Sequence, residues 1–190
     1  IEDLRAGTID LAIVSTYAIL DIVPEAGVFS IPFLMRDLQH ARDVLDGPIG
    51  QDMLAKFPPQ GLVALAWGEQ GFSHLTNNVR PVTMPADAKG LKIRTPQNAI
   101  YVTAFRRIGI LPAPMSWSET VIALQQGTID GQENPLSVII SAELSRTQKH
   151  LALTGHVYAP AVVLVSPKLY DTLSATDRKN FDKAGKVAGQ

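Results

Sequence analysis

The sequence contains no cysteine. That excludes disulfide scaffolds, thiol nucleophiles and cysteine–zinc sites. It fixes no compartment, although it permits an oxidising one. There is also no surplus of either charge: 17 Lys and Arg stand against 18 Asp and Glu, a formal net charge of −1. Phosphate backbones need a clustered basic surplus, so nucleic acid is not expected as a partner. No apolar run approaches the roughly 20 residues that cross a bilayer. The longest, residues 157–165, contains Pro160 and reads as a buried strand. Familiar catalytic signatures are missing: G-x-S-x-G, H-E-x-x-H, G-x-x-x-x-G-K-[ST] and G-x-G-x-x-G do not occur. The histidines His40, His74, His150 and His156 lack the spacing of metal ligands, so neither metal nor cofactor is expected. Asp130 and Glu133 lie close together, but nothing pairs them as acid and base. These absences favour a binding protein over an enzyme without excluding the enzyme.

What is present is 46% hydrophobic residue and only 18% charged residue, the balance of a folded core. Short apolar runs alternate with helical periodicities. Residues 9–14, 61–67, 72–76, 91–94 and 128–132 read as strands, and residues 151–165 as one long extended segment. Asp37 caps a helix whose positions Leu38, Ala41, Leu45, Ile49 and Met53 share a face, broken at Gly47-Pro48. Pro85-Ala86-Asp87 forms a short turn. Asn98 caps a helix bearing Tyr101, Ala104, Phe105 and Ile108 on one side. Ser116-Trp117-Ser118-Glu119 is a capping box, and that helix stops at Gly127. Pro135 opens another helix. A last helix starts near Ser174 and turns Phe181, Ala184 and Val187 inward. Strands separated by helices imply an α/β fold with much parallel sheet.

The stretch Leu4-Arg5-Ala6-Gly7-Thr8-Ile9-Asp10 is echoed at Leu124-Gln125-Gln126-Gly127-Thr128-Ile129-Asp130. Either chance repeats a common junction, or two similar α/β lobes each use it once. Two lobes with a cleft between them suit ligand binding. The first residues continue a helical face, and the last, around residues 185–190, lie inside another helix. The chain therefore reads as part of a longer one, and the missing leader says nothing about location.

Ligands in open α/β sheets sit beyond the carboxyl ends of strands. Thr16 follows the first strand, Arg94 ends the strand at 91–94, and Asn134 follows the strand at 128–132. Leu91 and Ile93 share one face of their strand, which leaves Lys92 and Arg94 on the other. A guanidinium there matches a carboxylate bidentately. The bland alternative is a surface arginine paired with an acid, and spacing alone favours it. Asn134 could donate to the same anion or simply cap a helix. Trp117 walls a pocket or fills a core. His74 and His156 donate to an anion or serve the structure. Gln97, just past Thr95-Pro96, completes the candidate set.

Several segments together resemble one family. They are Leu4 to Ala12, Ile31-Pro32-Phe33-Leu34, Lys89-Gly90-Leu91-Lys92-Ile93-Arg94, Pro114 to Glu119, Ala123 to Pro135 with its D-G-Q-E-N-P core, and Thr154-Gly155-His156. The chain is similar, over essentially its whole length, to the periplasmic solute-binding subunit of tripartite ATP-independent periplasmic (TRAP) transporters, of the DctP type. The resemblance implies a two-lobed periplasmic-binding-protein fold (type II-like) with a central cleft and hinge closure. It implies lobe one at residues 1–71 and 160–190, and lobe two at residues 72–159. It implies a longer parent with a signal peptide, an earlier start to lobe one, and a C-terminal hinge helix. Arg94 would make the salt bridge to the ligand's carboxylate, Asn134 would contact the same group, and Trp117 would lie against the ligand. His156 would belong to the hydrogen-bonded surroundings. Where many members carry a second arginine, this chain offers His74.

The expected function is capture of a small organic acid, such as a sialic acid, a uronate or a dicarboxylate, and delivery to the small and large integral membrane subunits. The protein would be a periplasmic monomer and not an enzyme. The competing readings are a cytoplasmic ligand-sensing domain of a transcription regulator and an enzyme acting on an organic acid.

Overall fold

The computed structural model describes residues 1–188. In chain order the elements are α1 (Glu2–Ala6), β1 (Leu11–Ser15), α2 (Leu38–Asp46), α3 (Pro48–Leu54), β2 (Val63–Asn77), β3 (Lys92–Thr95), α4 (Ala99–Arg107), β4 (Leu111–Pro114), α5 (Trp117–Gln126), β5 (Gly131–Pro135), α6 (Leu136–Ser141), β6 (His150–Ala152), β7 (Tyr158–Val165), α7 (Pro167–Thr172) and α8 (Ala175–Ala188). They form two compact units. The first holds residues 1–29, 35–70 and 159–190, and the second holds residues 30–34 and 71–158.

Local chemistry sets the helix starts. The Asp37 side chain accepts from the His40 amide, and Gly47 separates α2 from α3, where Pro48 takes the first helical position. Asn98 accepts from the Ile100 amide. Ser116 accepts from the Glu119 amide, while the Glu119 carboxylate accepts from the Ser116 amide at 2.9 Å.

In the first unit the strand order is β1–β7–β2, with β1 antiparallel to β7. Leu65, Val163 and Val165 form a core against Leu169, Tyr170 and Phe181. Three expectations fail here. The first strand is not buried, since Leu11 and Ile13 are 45% and 62% exposed. Among the described residues β1 pairs only with β7, and its alternate side chains lie open. In α8 Val187 is exposed; the position buried there is Gly185, where an added Cβ would meet the Leu65 side chain at 2.8 Å. Likewise Ile49 is exposed, because the turn at Gly47-Pro48 rotates α3 off the periodicity of α2.

In the second unit the order is β2–β5–β3–β4, with β6 also on β2. β5 runs antiparallel to β2 and parallel to β3. The sheet is thus mixed where a largely parallel one was expected. One core cluster gathers Leu75, Leu91, Ile93, Phe105, Ile110 and Ala152. A second gathers Ala123, Leu124, Ile129, Ile139 and Leu144, with Met115 and Trp117 packed against it. Ile108 remains exposed past the end of α4.

Strand limits also differ from expectation. The strands at 61–67 and 72–76 are one strand, β2. Gly71 takes a φ of 101° within this strand, and the pairing with β5 begins at Ser73. β5 begins and ends three residues later than expected, so Asn134 and Pro135 belong to the strand. The extended segment at 151–165 divides into β6 and β7.

The repeated junction is structural. Gly7 and Gly127 end their helices in the left-handed conformation, with φ 68° and 67°. The Thr8 amide donates to Asp3 O at 2.9 Å, and the Thr128 amide to Ala123 O at 3.0 Å. Both Thr hydroxyls donate to the same carbonyls. Each is a Schellman closure, one in each unit.

Candidate functional site

Alternation along β5 sorts its side chains. Gln132 and Asn134 point to one face and Glu133 to the other. Register adds their neighbours: His74 opposite Asn134, Thr76 opposite Gln132, and Arg94 beside Gln132. This face carries the polar cluster of the second unit.

Arg94 is 3% exposed, so it is not a surface arginine. Its Nε and Nη2 donate to Met115 O at 3.1 and 2.9 Å. Its Cζ lies 5.7 Å from the Trp117 ring centroid. A backbone carbonyl and an aromatic face therefore fix the plane of the guanidinium. Trp117 is half-buried and serves both readings at once, packing on the cluster under α5 while presenting its ring to Arg94. Asn134 is buried and is no helix cap. Its Nδ2 donates to Gln132 Oε1 at 2.6 Å, and Pro135 holds the cap position of α6.

His74 is half-buried and accepts a hydrogen bond on Nδ1 from the Gly155 amide at 3.1 Å. That bond requires a lone pair on Nδ1, so the ring is neutral with its proton on Nε2. Burial, with a smaller push from nearby His156, holds its pKa below the ordinary 6.5. His74 is thus a hydrogen-bonding group at neutral pH and not a second fixed cation.

His156 sits behind β5. Its Nδ1 lies 2.7 Å from Thr154 Oγ1, and its Nε2 lies 3.5 Å from Glu133 Oε2. It borders an apolar cavity of about 650 Å³ lined by Leu75, Val82, Met84, Phe105 and Leu153. Gln97 is exposed at the turn before α4. Thr16 is buried in the first unit, at the start of the turn after β1. The structure therefore brings Arg94, Trp117, Asn134 and His74 to one side of the second unit's sheet. His156 lies on the opposite side of β5, and Gln97 is outside the cluster.

Gln132, Thr76, Gln148 and the Met115 carbonyl were missed in the sequence. The first could have been found, because a strand ending at Pro135 places Gln132 and Asn134 on one face. A backbone carbonyl and a partner 72 residues distant from Thr76 leave no local signal. Among the described residues, no group of three or more His, Asp or Glu could hold a metal ion. No helix among them is long and apolar enough to cross a membrane.

Residues 1–190 match the family described as bacterial extracellular solute-binding protein, family 7 (DctP). The chain belongs to that family. A solute-binding protein from Verminephrobacter eiseniae is 50% identical over 186 residues, covering 98% of this chain and 56% of its own length. The 2,3-diketo-L-gulonate-binding periplasmic protein YiaO from Escherichia coli is 38% identical over 189 residues, covering 100% of this chain and 58% of its own. Among solved structures, a TRAP periplasmic solute-binding protein from Bordetella bronchiseptica, with density assigned as pantoate, matches at 69% identity and a TM-score of 0.96. It covers 100% of this chain and 63% of the other. A TRAP solute-binding protein from Polaromonas, bound to D-erythronate, matches at 50% identity and TM-score 0.96, covering 100% and 62%. The family resemblance and the α/β class read from the sequence both hold. The chain spans somewhat more than half the length of these relatives.

Proposed function

We propose that this chain is the larger part of a periplasmic binding protein that captures a small organic acid by its carboxylate and delivers it to the membrane subunits of a TRAP transporter. It transfers its ligand unchanged and is not an enzyme. Residues 1–71 with 160–190 serve as one lobe and residues 72–159 as the other. Ligand contacts are Arg94, Asn134 and Trp117, with His74 beside them. His156 supports β5 from behind, and Thr16 is a further contact, whereas Gln97, exposed outside the cluster, is not.

The observation that carries this reading is the buried Arg94 guanidinium, braced by Met115 O and the Trp117 ring. Met115 O occupies the Nε–Nη2 edge of the guanidinium and so sets its orientation. A desolvated arginine in register with polar side chains suits a charged ligand far better than a neutral one.

The family relatives suggest the ligand class. Pantoate, D-erythronate and 2-hydroxy-2-methyl-3-oxobutanoate, named for three related structures, are all 2-hydroxy acids on a four-carbon chain. A short 2-hydroxycarboxylate is the ligand class we assign. The protein, expressed in its full reading frame, should retain such an acid through native purification, identified by mass spectrometry. In calorimetry, D-erythronate should bind at least about a hundredfold more tightly than its amide, as expected when a charged partner is lost. Equal affinity for acid and amide, or recovery of a chemically altered acid, would overturn the reading.

A further inference from the structure

Asn134 stands at the end of a run of buried side chains whose hydrogen bonds all point one way. Gln148 Nε2 donates to Thr147 O at 3.1 Å and to Asp130 O at 3.5 Å. Backbone carbonyls accept only, so this end of the amide must be the nitrogen. Gln148 Oε1 is then the atom turned to Thr76, whose hydroxyl donates to it at 2.9 Å. A hydroxyl has one hydrogen. Having given it away, Thr76 Oγ1 can only accept from its other neighbour, and Gln132 Nε2 donates to it at 2.9 Å. Gln132 Oε1 must therefore face Asn134 and accepts from Nδ2 at 2.6 Å. Thr76, Gln132 and Gln148 are 2%, 0% and 8% exposed, so water does not relax the order of the run.

We infer that Thr76, Gln132 and Gln148 are positioning residues that fix the sense of the Asn134 amide. The nitrogen lies toward Gln132, the register neighbour of Arg94. Asn134 thus offers a donor, and not its carbonyl oxygen, on the side of the guanidinium. An inverted amide would set an acceptor beside a carboxylate and repel it. Selectivity for an anion then rests on the polarity of the run as well as on the charge of Arg94. This inference rests on the carboxylate-binding reading above.

Thr76→Val keeps the shape of Thr76 and removes its hydroxyl, whereas Thr76→Ser keeps the hydroxyl. Two measurements separate the run from the ligand reading. In the ligand-free protein, nuclear magnetic resonance should show exchange-protected, inequivalent Nδ2 protons for Asn134 in the wild type and in Thr76→Ser, with protection lost in Thr76→Val. In titrations with D-erythronate and pantoate, Thr76→Val should weaken binding about tenfold or more, and Thr76→Ser less than about threefold, in line with one hydrogen bond to a buried group. Thr76→Val binding like the wild type, or both variants weakening equally, would overturn the inference. If Thr76→Val does not fold, rapid exchange of the Asn134 amide in the wild type overturns it by itself. Protected Asn134 protons in a wild type that binds no acid would sustain the run and refute the carboxylate reading alone.

Discussion

A half-buried histidine changes what pH can do to a protein. The Gly155 amide donates to His74 Nδ1, and burial, then His156, lowers the pKa below 6.5. The unfolded chain takes up a proton as pH falls through 6.5, while the folded ring resists until a lower pH. Stability is therefore fully present above 6.5 and is lost as pH falls from there toward the folded value. His74→Asn keeps an acceptor for the Gly155 amide and removes the titration. Its melting temperature should fall less steeply than that of the wild type below pH 6.5. Parallel slopes for the two proteins would contradict this assignment. The neutral ring also means that Arg94, and not His74, supplies the fixed charge of this face at neutral pH.

At the scale of elements, the approach of β5 to β2 depends on one residue. Gly131 lies opposite Asn77, and an added Cβ would collide with Thr76 O and sit 2.9 Å from the Asn77 Cα. Gly131→Ala should cost about 1–3 kcal/mol, the scale of an overpacked interior, because backbone cannot yield as a side-chain tip can. Thermal or denaturant unfolding measures it, and an unchanged midpoint would mean that the strands can part freely. The same elements show what was legible in the sequence. The starts of α2, α4 and α5 could be read because Asp37, Asn98 and Ser116 act within their own first turns. The junctions at Gly7 and Gly127 were legible for the same reason. The limits of β5 and the union of β2 were not, because strand ends are set by partners far along the chain. Arg94 and Asn134 stood out by type and place, yet the burial of Arg94 by Met115 O and Trp117 comes from an element 21 residues away. The antiparallel pairings of β2 with β5 and β6 leave no local pattern at all.

For the whole molecule, a net charge of −1 gives no long-range attraction for an anion. The acid recognition proposed above would therefore come from placed groups: a guanidinium held in one plane, an amide held in one sense, and an aromatic face beside them. Membership of the family and the acids named for its relatives agree with that arrangement. The most direct measurement is the calorimetric Kd of Arg94→Ala for the acid that the wild type binds best, in the full reading frame and with folding checked by circular dichroism. Removing the anchor of a desolvated carboxylate costs about 2–5 kcal/mol, so affinity should fall by about a hundredfold or more. An unchanged Kd in a folded Arg94→Ala protein would contradict the account at its centre.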